Sequence, residues 1–131
     1  MFGDHQPSVE QEFLDLAYGV TQDEMTMEQY MDKYRVPYVI WANYPLPDTV
    51  QGEDVSLNFL SLDLLTCVGL KGDSYLQFLS EMRQVMPVAT FVGYKDPEGN
   101  AYSHWETTEL TSLLEDYQCV QYERLFGMED E

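Results

Sequence analysis

Residues 36–44, Val-Pro-Tyr-Val-Ile-Trp-Ala-Asn-Tyr, form a run of β-branched and aromatic residues closed by Pro45 and Pro47. This run constrains the fold more than any other stretch. Apolar residues at almost every position leave no solvated face, so the run predicts a strand covered on both sides by helices. Residues 38–42 are the expected inner strand. A chain of 131 residues is long enough to surround it, since a domain of this size buries roughly two thirds of its unfolded surface without disulfides. Ten Tyr, six Phe and two Trp supply core material. For Tyr38, Trp41 and Tyr44 core packing is the expectation, ahead of lining a sugar site.

Helical patterns flank the run. Ser8 followed by Gln11 has capping-box spacing and predicts a short helix over residues 9–17, with Phe13, Leu14, Leu16 and Ala17. A second helix is expected over residues 26–34, where Met27, Tyr30, Met31 and Tyr34 share a face; Met25, Met27 and Met31 read as gap-fillers. A third begins near Ser56, carries Leu57, Leu60, Leu64 and Val68, and stops at Gly69. The fourth starts at Ser74 and ends at Pro87. The last runs over residues 108–126 to Gly127, and residues 128–131 form a frayed acidic tail.

Between the last two helices, residues 88–94 are rich in strand formers. The turn Asp96-Pro97-Glu98-Gly99-Asn100 folds them onto residues 101–104 as an edge hairpin. Residues 46–54 read as a surface loop. No repeat or linker divides the chain, so residues 1–131 are expected to form one α/β unit, helices packed on a small mixed sheet. Cys67 and Cys119 lie in apolar helical patterns and read as buried free thiols.

Charge narrows the partners. Against 24 acids stand six bases, a formal charge of -18, and a field of that sign repels phosphate backbones and anionic lipid surfaces. Nucleic-acid binding through a basic patch is excluded. No apolar stretch approaches the ~20 residues that cross a bilayer, so no direct membrane insertion by this chain is expected.

The sharpest chemical feature is the adjacent pair Asp4 and His5, which follows the apolar lead-in Met1-Phe2 and precedes Pro7. A carboxylate and an imidazole leaving a strand end together can reach one divalent ion. A catalytic metal needs three or more protein ligands, and no other residue stands at a spacing that completes the set, so from the residues alone a solvated loop pair is the expectation, ahead of a metal site. The abrupt start predicts further sequence upstream. Thr21, Thr49 and Thr66 lack a neighbouring base and read as structural. His104 beside Trp105 and Glu106 reads as a surface histidine. Asp96, Glu98 and Asn100 alternate as calcium ligands do, but Ala101 and Thr107 replace the loop's Gly and Glu, so a plain turn is expected.

Four segments in order resemble the C-terminal third of the lipoteichoic acid synthase family: Phe2-Gly3-Asp4-His5-Gln6-Pro7-Ser8; residues 36–44; Ser56-Leu57-Asn58-Phe59-Leu60-Ser61; and residues 114–122 with Leu125-Phe126-Gly127. That family belongs to the sulfatase and alkaline phosphatase superfamily, which implies the C-terminal part of an α/β sandwich with a metal at its strand ends. The resemblance implies that Asp4 and His5 are metal ligands, usually for manganese. The implied chemistry is attack by a metal-bound Thr on a phosphodiester, transferring glycerol phosphate from a lipid donor. That Thr and the remaining ligands match no position here, so the resemblance implies a fragment, inactive alone, whose partner is the missing N-terminal part of the domain or a homo-oligomer. Joined to an anchoring segment it would lie on the extracellular face of the cell membrane; expressed alone it would be cytoplasmic. A non-catalytic acidic interaction module derived from that fold is the alternative.

Overall fold

Two short connections, residues 90–92 and 96–100, decide the sheet, because a return in three or five residues can only be antiparallel. A computed structural model describes residues 1–46 and 54–127. Within them β1 (Val88–Ala89), β2 (Gly93–Lys95) and β3 (Ala101–Ser103) form a three-stranded sheet in that order. Both pairings are antiparallel, with Ala89 opposite Tyr94 and Tyr94 opposite Tyr102. The mixed sheet expected from the sequence is therefore corrected to an antiparallel one among the described residues; no crossover of the length a parallel pair requires joins these strands. The single strand expected over residues 88–94 is two strands. The Thr90 hydroxyl accepts the N–H groups of Val92 and Gly93 at 3.3 and 3.2 Å and reverses the chain inside it.

Among the described residues five α-helices accompany the sheet: α1 (Gln11–Tyr18), α2 (Met27–Asp32), α3 (Leu60–Val68), α4 (Ser74–Val85) and α5 (Thr111–Phe126). Their ends follow local chemistry. Thr26 and Gln29 form the reciprocal cap of α2, and Gly69 closes α3 at φ 67°, a left-handed conformation costly for any residue with a Cβ. The cap of α4 is Asp73, which accepts the Leu76 N–H at 3.1 Å, one residue before the expected Ser74. The box read from Ser8 and Gln11 does not form. Gln11 Nε2 donates to Asp15 Oδ1 at 2.6 Å instead, and Glu10 precedes the helix without a side-chain cap.

The main core lies between residues 59 and 117. Phe59, Leu79, Met82, Met86, Tyr94 and Tyr117 form one buried cluster between α4, α5 and the sheet. Each such side chain contributes about 1.5 to 3 kcal/mol on burial. Its polar tips are paired: Tyr94 Oη with Thr108 Oγ1 at 2.7 Å, and Tyr117 Oη accepting from Asn58 Nδ2 at 3.1 Å. Helix α2 lies against the sheet through Met27, whose Cε would be 2.4 Å from a Cβ at residue 93. Glycine at that position allows the approach. Lys95 Nζ bonds Glu28 Oε1 at 2.9 Å over the same contact, and Tyr34 meets Phe91 edge to face at 4.8 Å between ring centres.

The N-terminal half packs little. Helix α1 buries no residue, and Leu16 is 82% exposed. The inner strand expected at residues 38–42 is absent. The run makes one antiparallel bridge, Tyr38 to Phe2, and its even-numbered residues 36–42 are half-buried while Pro37, Val39, Trp41 and Asn43 are exposed. Trp41 is 80% and Val39 59% exposed, and Tyr44 is exposed too, so their expected core packing is overturned. Residues 37–39 pair with residues 1–3, residues 43 and 44 form a bend, and among the described residues no layer covers Val39 and Trp41. The chain presents 9949 Å², where a compact monomer of 15.2 kDa presents roughly 7,100 Å². The expected loop over residues 46–54 lies mostly, and the acidic tail over residues 128–131 wholly, outside the described residues.

Candidate functional site

Asp4 and His5 leave the end of a paired ribbon. Met1 and Val39 exchange both backbone hydrogen bonds, 2.7 Å from Val39 N–H and 2.8 Å from the terminal amine, and Gly3 N–H donates to the Pro37 carbonyl at 2.8 Å. Glycine suits position 3, since a Cβ there would stand 2.9 Å from Val36 Cβ. Beyond Gly3 the ladder stops. Gln6 Nε2 donates to the Arg35 carbonyl and ties the loop back to the start of the run. Arg35 itself is held by Asp54 at 2.5 Å and Asp32 at 3.4 Å. The sequence reading of two apolar residues leading the pair out of an extended segment is what this geometry contains.

The two side chains stand together in solvent, Asp4 95% and His5 78% exposed, with Oδ2 and Nε2 3.6 Å apart. Two donors sharing one ion at about 2.1 Å lie roughly 3.0 to 3.5 Å apart, so a small rotation brings both onto one cation. His5 Nδ1 lies 2.7 Å from the Gln6 carbonyl oxygen, which can only accept. Nδ1 therefore carries a proton, and in the neutral ring Nε2 turns a lone pair toward the carboxylate. Both atoms are open to water, which solvates them where no ion binds, and a carbonyl behind the imidazole is the usual support of a ligating histidine. Among the described residues no group of three or more His, Cys, Asp or Glu is arranged around a common point. Two donors are fewer than the three or more protein ligands that a catalytic metal takes.

Thr21 and Thr66 are engaged by their own helical turns. Thr21 Oγ1 bonds Glu24 Oε2 at 2.8 Å, Thr66 Oγ1 bonds the Leu62 carbonyl at 2.9 Å, and Thr49 lies outside the described residues. His104 Nε2 contacts the Thr90 carbonyl at 2.7 Å, while Glu106 accepts from the Ser103 N–H at 3.4 Å, so the two form no acid–base couple. Asp96 spends its carboxylate on its own turn. It accepts from Asn100 N and Nδ2, both at 2.8 Å, and from Tyr102 Oη at 2.9 Å. Those bonds, the Asn100 side chain first, hold it below the ordinary aspartate range, and the same contact raises Tyr102. An open cavity of about 490 Å³ beside it is lined by Glu98, Thr108 and Glu109 among others, a lining that sequence spacing did not reveal because it joins the hairpin turn to the approach of α5.

Cys67 is buried as expected; Cys119 is exposed on α5, which corrects the expectation for it. No helix among the described residues is long and apolar enough to cross a membrane. The described residues thus form a small α/β fold with Asp4 and His5 adjacent and exposed. No family model, no curated protein and no solved structure matches the chain.

Proposed function

We propose that this chain is the C-terminal part of a metal-dependent phosphoglycerol transferase domain of the lipoteichoic acid synthase kind, within the sulfatase and alkaline phosphatase superfamily, and that it has no turnover alone. The observation carrying the reading is the Asp4 and His5 pair, delivered side by side from the end of a paired ribbon with Nδ1 of the imidazole engaged by a carbonyl. That arrangement supports the role for these two residues that the sequence resemblance implies. Asp4 and His5 would hold the divalent ion, manganese in the reading adopted here. The ion supplies Lewis acidity toward a phosphoryl oxygen once its other ligands, from beyond the described residues, are in place. The chain's own part would be to present a carboxylate oxygen and an imidazole nitrogen side by side, with the Gln6 carbonyl orienting the ring. The substrates of this reading are glycerol-phosphate lipids or polymers. Its site is the extracellular face of the cell membrane when joined to an anchoring segment, and the cytoplasm when the chain is made alone.

Manganese titration followed by NMR tests it. The paramagnetic ion should broaden the His5 imidazole signals well before those of His104, the other histidine of the chain, and Asp4→Ala should remove that selectivity. Equal broadening of both histidines, or selectivity that survives Asp4→Ala, overturns the ligand assignment. Turnover of a phosphodiester or sulfate ester by the purified chain, absent in Asp4→Ala, overturns the claim of inactivity.

A second reading, a non-catalytic acidic interaction module of the same descent, is favoured by the apolar surface left on α1 and on the ribbon. In sedimentation, a stable, soluble monomer supports this module, whereas aggregation supports the fragment.

A further inference from the structure

The open cavity beside the hairpin turn is framed by side chains that the fold already holds in place. Tyr102 lines it with a ring stacked on Tyr94, 5.5 Å between centres, and a hydroxyl that donates to Asp96 Oδ2 at 2.9 Å. Thr108, also in the lining, is fixed by the Tyr94 hydroxyl at 2.7 Å and accepts the Leu110 N–H at 3.1 Å. Val85, Pro97 and Leu110 add apolar surface. A volume of about 490 Å³ falls among ligand pockets, which span roughly 300 to 1,000 Å³.

Asp96, Glu98 and Glu109 share this lining, and no Lys or Arg joins them among the described residues. The bases nearest in sequence are engaged elsewhere, Lys95 by Glu28 at 2.9 Å and Arg83 by Asp63 at 2.7 Å. The Asp96 oxygens are taken up by its own turn, so that residue contributes charge rather than a ligand atom. Glu98 and Glu109 are exposed and make no ion pair among the described residues. The carboxylates do not converge either, since no three such groups of the described residues surround a point that a metal ion could occupy. A cation suited to separated carboxylates and an apolar lining carries its charges apart, joined by methylene groups.

We propose that this cavity binds a free aliphatic polyamine, with its ammonium groups on Glu98 and Glu109 and its methylenes against Val85, Pro97 and Leu110. Each ammonium gains a charge-assisted contact, the Tyr102 ring offers a face to a cation, and the methylenes leave water. Volume selects the free molecule over a lysine of another protein, because a whole small polyamine occupies such a cavity and one lysine stem fills a minor part of it. The net charge of -18 raises the local concentration of any cation near that lining. The inference goes beyond the metal-site reading and is independent of it.

Spermidine titrated into the whole chain tests this by amide NMR and calorimetry, at about 0.15 M salt to screen diffuse attraction. The expected result is saturable shifts confined to residues 96–102 and 108–110. Glu98→Gln and Glu109→Gln should each weaken binding about two- to fivefold. Glu12→Gln removes the same charge from exposed α1 surface and should leave binding unchanged. Val85→Trp keeps the charge, fills part of the cavity and should abolish saturable binding; circular dichroism checks that it folds, and the two glutamine variants carry the test if it does not. Shifts spread over the acidic surface without saturation overturn the inference. So does equal weakening by Glu12→Gln, or binding that survives a folded Val85→Trp. Magnesium or an oligolysine peptide that gives the same saturable shifts at a lower concentration than spermidine overturns the choice of ligand. Asp4 and His5 enter none of these readouts, so failure here and failure of their assignment are separate outcomes.

Discussion

The hydroxyl of Ser56 accepts a hydrogen bond from the Ala89 backbone N–H at 2.8 Å, although 33 residues separate them. Ser56 is 5% exposed and directly precedes the turn that carries Phe59 into the core. One hydroxyl thus satisfies an N–H of β1 and holds the entrance to α3 against the sheet. Ser56→Ala leaves that N–H without its partner. A loss of about 1 to 3 kcal/mol is expected in urea unfolding, against almost no change for Ser80→Ala on the exposed side of α4.

Leu79 is 1% exposed at the centre of the cluster that also holds Phe59, Met82 and Tyr117. Leu79→Ala removes packed methyl groups and leaves a cavity that neighbours only partly refill, at a cost of about 2 to 5 kcal/mol. Leu16→Ala removes the same group from solvent-exposed α1 surface and should move the urea midpoint little. Equal losses at the two sites would mean that α1 is covered in solution.

The two thiols should separate cleanly. Cys119 reacts with a disulfide reagent in the native state, whereas Cys67 reacts only as the chain opens. Timed labelling followed by mass measurement should give one fast and one protected site, and adding urea should merge them.

The Asp96 turn predicts a pH effect. Its carboxyl titrates below the ordinary aspartate range when folded and within that range when unfolded. Its contribution is therefore present above the unfolded value and is lost as pH falls through the depressed folded value. In a carboxyl NMR titration, Asn100→Ala should move Asp96 upward toward ordinary behaviour, since the Asn100 side chain is the largest cause of the shift. Tyr102→Phe should move it in the same direction by less.

Much of this was legible in the chain because it rests on neighbours in sequence. The stop of α3 at Gly69, the end of α4 before Pro87 and the turn over residues 96–100 each follow from one residue's backbone preference. The adjacency of Asp4 and His5 and their exit from an extended lead-in were equally local. Neither the carbonyl behind His5 nor the pairing of Met1–Gly3 with residues 37–39 follows from residue types, since one needs a rotamer and the other a contact across 38 residues.

The sequence by itself determined that residues 36–44 do not form a helix, through β-branching, aromatic content and flanking prolines. Only the tertiary structure decided that one face of that run lies open. An unbroken apolar pattern records that each side chain favours cover but carries no record of which element provides it, and here α4, α5 and the hairpin spend their apolar faces on one another. Burial is a property of pairs of surfaces, and a single strand's composition holds only one of the two.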